Sequence, residues 1–514
     1  MRRILAKTMA AVMGIILLCS CSGNKAPKEN KNKSGEGIVK LQMRLTESFD
    51  PLKNENESVC NVLSLCYEPL FRINEKIAPE GVLAKNCKIS DDCMSAIISL
   101  KDSVKWHDEK AFTAGDVVYT IERIKEMPDS VYSLCVMPIE SAEAIDAGTV
   151  RLNFNRPYAR IAYSLYFPIV PSHAGQLDEK IVGTGPYMID DYIVASQLVL
   201  KSFDLWHAGQ AKNSRIEISL IRDKKTAETA FNTGIIDAIT GNSIDLKNYA
   251  LKSGERSARY PSASYEFIAF NNTGGIFKSR QMRSAVSLAI DREAISKDIY
   301  AGLAAAANAP IHPQAASAAP SPVFMEYNKE VAFETFFYEG YSLNNETGML
   351  ANEKGETISF TILVNSDNSY RVSCAELIAS QLRQAGIDAK VRSEEFSVYT
   401  DLILKKSFDA YLGGTKLGNL YDYEFLLSKQ GSLNNYGYEG EEMELALMEI
   451  AQSPTEDSLE NAVKNFEEVF MREQPVCGIV YLSDVLIASD LVRGSLRPSP
   501  GFPYAGVAGW SKKK

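Results

Sequence analysis

Between residues 357 and 414 the spacing of the apolar residues switches back and forth between the two periods that define strands and helices. No other feature limits the possible folds as tightly. In TISFTILVN (357–365), Ile358, Phe360, Ile362 and Val364 alternate as the buried face of a strand does. SCAELIASQLRQAG (373–386) then places Ala375, Ile378 and Leu382 on one helical face, with Gly386 where a helix C-terminus favours glycine. IDAKV reads as a second strand, SVYTDLILKK as a second helix and FDAYLGG as a third strand. Strands alternating with helices predict an α/β lobe. Further on, Ser453-Pro454-Thr455-Glu456 has the form of a capping box with proline at the first helical position. It predicts a helix to about Arg472, followed by a strand at CGIVYL.

The first third reads differently. CKISDDCMSAIISLKDSVKWHDEKAFTAGDVVYTIERI gives short strands, a turn at Lys101-Asp102-Ser103, and a helix from about Thr113. Thr113 and Asp116 stand at capping-box offset, with aspartate in place of glutamate. The expectation is a small α+β unit near the N-terminus and a larger α/β unit after about residue 265. The proline-rich stretch 301–322 cannot be one helix and reads as a long irregular loop inside a domain.

The chain begins with Arg2, Arg3 and Lys7, then an apolar stretch from Met9 to Leu18, the layout of a secretory signal. That stretch is shorter than the roughly 20 residues a spanning helix needs. Leu18-Cys19-Ser20-Cys21 resembles the lipobox of bacterial lipoproteins, which implies cleavage after residue 20 and a lipid on Cys21. The alternative is an ordinary signal peptide. Residues 22–37 hold no large apolar side chain and read as a flexible tether, reaching roughly 50 Å at about 3.3 Å per residue.

Loss of Arg2, Arg3 and Lys7 with the leader moves the formal charge from -10 to -13. So acidic a body is a poor partner for nucleic acid, where basic patches supply affinity. The remaining cysteines are scattered and odd in number, which excludes a disulfide framework. Cys87 and Cys93 flank a turn-like KISDD; they either face each other across a hairpin or are small buried apolar groups. The four histidines stand apart from one another, against a zinc site. Neither a GxSxG elbow, an HExxH, a Walker loop nor an EF-hand loop occurs. The Trp106-His107-Asp108 cluster has no nucleophile that sequence can place beside it and reads as a hydrogen-bonded surface turn. A binding protein without cofactor fits better than an enzyme.

Six segments together resemble family 5 solute-binding proteins of ABC importers, the oligopeptide- and dipeptide-binding group. They are SFDPL (48–52), CYEPLF (66–71), VKWHDEKAFTAGDVVYTIERI (104–124), VGTGPY (182–187), FIAFNNT (267–273) and MRSAVSLAIDREAI (282–295). The resemblance implies a periplasmic-binding-protein-like α/β fold: two lobes around a ligand cleft, with an extra small domain in the N-terminal lobe. It implies domain I from residues 38–67, 168–265 and 491–514, domain II from 68–167, and domain III from 266–490, after a leader (1–20) and tether (21–37). GTGPY would supply glycines for a tight turn, and DREAI would turn Ile290 and Ile295 to the core. The implied partners are a peptide or peptide-like solute and an ABC permease with cytoplasmic ATPase subunits. The chain would be a monomer, lipid-anchored outside the cytoplasmic membrane. A surface receptor presenting a signalling peptide is the alternative.

The resemblance carries ligand contacts over by position only. Glu55, Asn56 and Glu57 fall where relatives present a strand edge to the peptide backbone, although a solvated loop explains them equally well. Asn242, in Gly241-Asn242-Ser243, flanks the same cleft. Thr415 and Gly418 stand where peptide binders usually have a tryptophan and an aspartate for the ligand's α-amino group; Asp422 lies four residues later. Ile403 and Leu412 stand at the arginine positions of oligopeptide binders. Arg371 lies one place from the carboxylate-binding arginine of dipeptide binders.

Overall fold

The structure, a computed structural model, describes residues 37–175, 177, 181–193, 196–315, 327–417 and 421–513. The leader, Cys21, nearly all of the tether and Gly418 lie outside the described residues.

The chain enters as strand β1 (Val39–Met43) and helix α1 (Glu57–Leu63), the latter capped by Asn56, whose side chain accepts from the Ser58 N–H. Residues 55–57 are therefore a loop and a helix start, not the strand edge expected there; an asparagine ahead of a helical run prefers to cap it. A small antiparallel sheet follows from β2 (Ala84–Ile89), β3 (Ser95–Leu100), β4 (Ile139–Asp146) and β5 (Thr149–Phe154), in the order β2-β3-β5-β4. Helix α2 (Ala114–Lys125) packs against it, opened by the capping box of Thr113 and Asp116 as predicted. The chain then returns through β6 (Tyr187–Ile193), β7 (Gln197–Ser202) and β8 (Arg215–Leu220). These join β1 in a second sheet, ordered β1-β8-β7-β6, in which β1 and β8 run parallel.

Helix α3 (Lys224–Asn232) leads to β9 (Ala238–Asn242) and to the long strand β10 (Arg256–Phe270). Helices α4 (Arg280–Leu288) and α5 (Arg292–Asp298) and the short strand β11 (Ala304–Ala306) come next. The alternating region forms β12 (Ser359–Asn365), α6 (Ser369–Gln384), β13 (Asp388–Glu394), α7 (Phe396–Leu404) and β14 (Ala410–Lys416). Helix α8 (Glu456–Glu473) and the long strand β15 (Val476–Ala488) complete a mixed sheet ordered β9-β15-β10-β14-β12-β13, with β11 on β15. The three strands and two helices expected between 357 and 414 are all present. α6 begins earlier than SCAELI suggested, because Asn368 caps it by accepting from the Arg371 N–H.

Two details differ from expectation. α8 is capped by Thr455, paired in a box with Ser458, not by Ser453. Ser453 instead donates to the Glu449 and Ser458 carbonyls, and Pro454 precedes the cap. The loop 301–322 is interrupted by β11, whose alanines pair with Leu482, Tyr481 and Val480.

One apolar core joins the two N-terminal sheets to the chain's end, including Val492, Tyr504, Val507 and Trp510. Asn213 secures that return by donating to the carbonyls of Val507 and Trp510, both at 3.1 Å. Two further cores fill the lobe built on the mixed sheet; Ile290 and Ile295 are fully buried in one of them. β10 and β15 are the long strands shared by both lobes. Their pairing breaks register between Pro261 and Tyr265. Proline cannot donate to a ladder and an irregularity disrupts pairing locally, so the ladder is interrupted at the crossing, a candidate flexure point.

Candidate functional site

The end of β9 and the start of α6 face each other across a cavity of about 450 Å³. One wall carries Lys224, Asn242 and Asp245; the other carries Glu266, Tyr300 and residues 367–370 ahead of and within the first turn of α6. Asn242 lines this cavity. Its own side-chain oxygen accepts from the Ile244 N–H at 3.1 Å, leaving its amide donors for another partner. Lys224 and Asp245 pair at 2.6 Å on an open rim, where an ion pair contributes little.

Arg371 does not reach the cavity as a free guanidinium. Its Nε and Nη2 donate to the two carboxylate oxygens of Glu266 at 2.6 and 2.8 Å, and its Nη1 to Asn365 at 3.4 Å. Glu266 is 4 % exposed. Burial pushes its carboxyl up, against the pull of Arg371. Gly414 makes room for the pair: a Cβ there would stand 2.5 Å from Glu266 Oε1 and closer still to Arg371 Nη2. Local pattern alone hides this arrangement. Its one sequence signal is an acid inside the apolar run YEFIAF, since a buried carboxylate needs a cation.

Near the flexure point, Asp484 of β15 stands opposite Asn242 on one side and Tyr260 on the other, so the three side chains share a sheet face. Leu482, two residues back on the same face, lines the cavity. Burial pushes the Asp484 carboxyl up to about 7; Glu57 and Asp245 add to the rise, while Lys416 and Lys224 oppose it. Glu57 and Lys416 stand 3.6 Å apart, bridging α1 of one lobe and β14 of the other. Thr415, half-buried, is the residue before that lysine and pairs with Tyr265. Glu55 is exposed. Asp484 was not legible as a site residue; nothing in YLSDVLIA distinguishes it.

Asp422 stands elsewhere. It accepts from Arg156 at 3.2 Å and from the Tyr158 hydroxyl at 3.2 Å, and Arg156 also pairs with Glu424. Asp422 joins the small N-terminal sheet to the other lobe and is not part of the cavity lining. Ile403 and Leu412 are buried apolar residues.

The remaining motifs form a buried clasp. Glu68 of CYEPLF accepts from Thr184 Oγ1 at 2.9 Å, Trp206 Nε1 at 3.0 Å and His207 Nε2 at 2.9 Å. His107 is buried, contrary to the surface turn expected of Trp106-His107-Asp108. Its Nδ1 accepts from the Gly183 N–H and its Nε2 donates to the Gly185 carbonyl. Desolvation lowers its pKa to about 4. Gly183 and Gly185 are needed for close backbone approach to Leu65 and Cys66 and not for a left-handed turn, since neither has positive φ. Asp50 of SFDPL binds Arg123 of α2 at 2.8 Å. Cys87 and Cys93 are free thiols, and burial pushes Cys87 up to about 12. Among the described residues no cluster of His, Cys, Asp and Glu could hold a metal ion, and no helix is long and apolar enough to cross a membrane.

The motif segments thus build a scaffold. The family model for bacterial extracellular solute-binding proteins, family 5, middle part, matches residues 78–437. The chain belongs to this family. It is a solute-binding protein of ABC importers and not an enzyme. The oligopeptide-binding protein AppA of Bacillus subtilis (strain 168) is 24 % identical over 529 residues, covering 96 % of both chains. The solved structure of AppA from Bacillus subtilis in complex with a nonapeptide superposes with a TM-score of 0.65, at 21 % identity over 94 % of this chain and 100 % of that one. NikZ from Campylobacter jejuni, solved with Ni(L-His), gives 0.70 at 22 % identity, over 93 % and 100 %. These likenesses establish the family 5 fold, two lobes around a ligand cleft, and the same fold holds very different solutes.

Proposed function

We propose that this solute-binding protein captures a peptide or peptide-like solute in the cavity between α3–β9 and α6, and hands it to an ABC permease driven by cytoplasmic ATPase subunits. The observation that carries the reading is the cavity itself. Its size lies within the roughly 300–1,000 Å³ of small-solute pockets. Its walls come from the α3–β9 segment and from β10 and α6, and mix a few polar groups with Tyr300, Tyr370 and Leu482. Whole-length likeness to a relative named as oligopeptide-binding supports peptide as the solute class. The register break in β10 and β15 supports closure by bending between the lobes.

Cys21 carries the lipid in this reading, so the folded body works as a monomer outside the cytoplasmic membrane on its tether. The division into three domains, with 491–514 returning to the first, is supported by the core that Trp510 shares with β1. The test is mass spectrometry of what co-purifies with the soluble body lacking residues 1–21. Short peptides at near-equal stoichiometry are the expected result. A non-peptide solute, such as a metal chelate, at that stoichiometry overturns the peptide assignment.

A further inference from the structure

The cavity wall contributed by β10 presents a carboxylate, with a guanidinium behind it. Glu266 is part of the lining and Arg371 is not. The two-pronged geometry of the Arg371–Glu266 pair, at 2.6 and 2.8 Å, is the one in which a guanidinium grips any carboxylate. Glu266 already occupies that grip, and Asn365 takes the third nitrogen. The other lining cation, Lys224, is paired with Asp245 and its side chain is 82 % exposed, so it offers a ligand only a screened charge. The remaining lining acid, Asp367, accepts from the Phe396 N–H and adds negative charge. Among the described lining residues the acids Asp245, Glu266 and Asp367 outnumber the cation Lys224. A ligand carboxylate entering here meets no unpaired cation among those residues; Lys247, whose Nζ lies 4.9 Å from the centroid of the Tyr370 ring, stands outside the lining and is exposed.

We propose that Glu266 is a specificity-determining residue: by filling the fork of Arg371 it closes this end of the cavity to a carboxylate, so the bound solute presents an uncharged end there. The inference rests on the peptide reading above and narrows it to peptides whose carboxyl end is capped. Gly414 is consistent with it, because β14 carries no side chain where a Cβ would collide with the pair. Packing alone would be met by any residue on a β14 that did not have to clear an ion pair.

The experiment uses calorimetry on the ligand-stripped soluble body with a pool of two- to five-residue peptides and the same pool as C-terminal amides. Wild-type protein is expected to bind the amides at least tenfold more tightly. Glu266→Gln leaves the guanidinium charge uncompensated, so the ratio of free-acid to amide affinity should rise at least tenfold over wild type. In Glu266→Gln/Arg371→Met that gain should vanish, which ties it to the guanidinium. Wild-type protein binding free acids as tightly as amides overturns the proposal, and this comparison decides it even if the variants fail to fold. Binding of neither pool to wild-type protein overturns the peptide reading, and the assignment falls with it.

Discussion

The carbonyl oxygen of Cys66 occupies the space that a Cβ on Gly183 would need. The overlap is with backbone, since the Cys66 carbonyl carbon would lie only 2.5 Å from that Cβ. The same oxygen accepts from the Gly185 N–H at 2.8 Å, and the Gly183 carbonyl accepts from the His107 N–H at 2.8 Å. Three chain segments far apart in sequence are thereby pinned to one another.

Gly183→Ala must therefore move backbone and break bonds of the clasp, and no rotamer change relieves it. We expect a loss of about 3 kcal/mol or more, the range of overpacking combined with broken buried hydrogen bonds. Gly274 is extended and a Cβ there meets nothing within 4 Å, so Gly274→Ala should stay within about 0.5 kcal/mol. Urea unfolding of both variants checks the contrast.

His107 and Asp484 give opposite pH dependences over one window. Burial lowers His107 to about 4 from an ordinary 6.5, so the unfolded chain takes up its proton first and stability falls as pH drops from about 6.5 to 4. Burial raises Asp484 to about 7, so the folded chain keeps its proton longer and stability falls as pH rises from about 4 to 7. At about 1.4 kcal/mol per pH unit each effect is at most about 3–4 kcal/mol. Asp484→Asn should match wild type near pH 4 and exceed it by pH 8. His107→Gln, corrected for its own constant loss, should gain on wild type as pH falls below 6. Unfolding free energies of the three proteins at pH 4 to 8 test both signs.

What the sequence made legible is what depends on neighbours along the chain. The apolar alternation of β12, the helical face of α6 and the Thr113–Asp116 cap are local, and each appears where its spacing put it. The Thr455 cap went to the wrong neighbour because Ser453 and Thr455 offer the same chemistry two residues apart. The site is legible only in part because its pairings are not local. Arg371 lies 105 residues from Glu266, and Asp422 lies 266 from Arg156. A spacing argument could place Arg371 near a helix start, but its availability to a ligand depends on which strand lies beside it. His107 was misplaced at the surface for the same reason, since its partners Gly183 and Gly185 arrive from another segment.

Cys21 is expected to carry the anchor. Its test stands on the LCSC sequence and the apolar run before it. In a bacterial host, Cys21→Ser should abolish metabolic lipid labelling and membrane association, and Cys19→Ser should keep both. Labelling that persists in Cys21→Ser would contradict the assignment.

The amino end of a peptide ligand raises the last prediction. Asp422 is the acid nearest in sequence to the position where peptide binders keep theirs, but its carboxylate already accepts from Arg156, Tyr158 and, at 3.4 Å, the Glu424 N–H. An ammonium would have to displace a guanidinium that also holds Glu424. Asp422→Asn should therefore act on stability, losing about 1–3 kcal/mol as a partly buried charged hydrogen bond is weakened. It should leave unchanged the ratio of affinities for free and N-acetylated peptides. The lining acids Asp245, Glu266 and Asp367 already hold Lys224, Arg371 and the Phe396 N–H, which leaves Glu57 and Asp484, outside the lining, to meet an ammonium. Lys416 competes for Glu57 across an exposed pair, and Asp484 must give up its proton near neutral pH. Both conditions weaken the contact, so acetylation should change affinity by less than about tenfold, or about 1.4 kcal/mol. Calorimetry with matched peptides on wild type, Asp422→Asn and Asp484→Asn decides between the outcomes. A larger loss on acetylation that disappears in Asp422→Asn would return the amino-group role to that residue, and one that disappears in Asp484→Asn would place it at the flexure point.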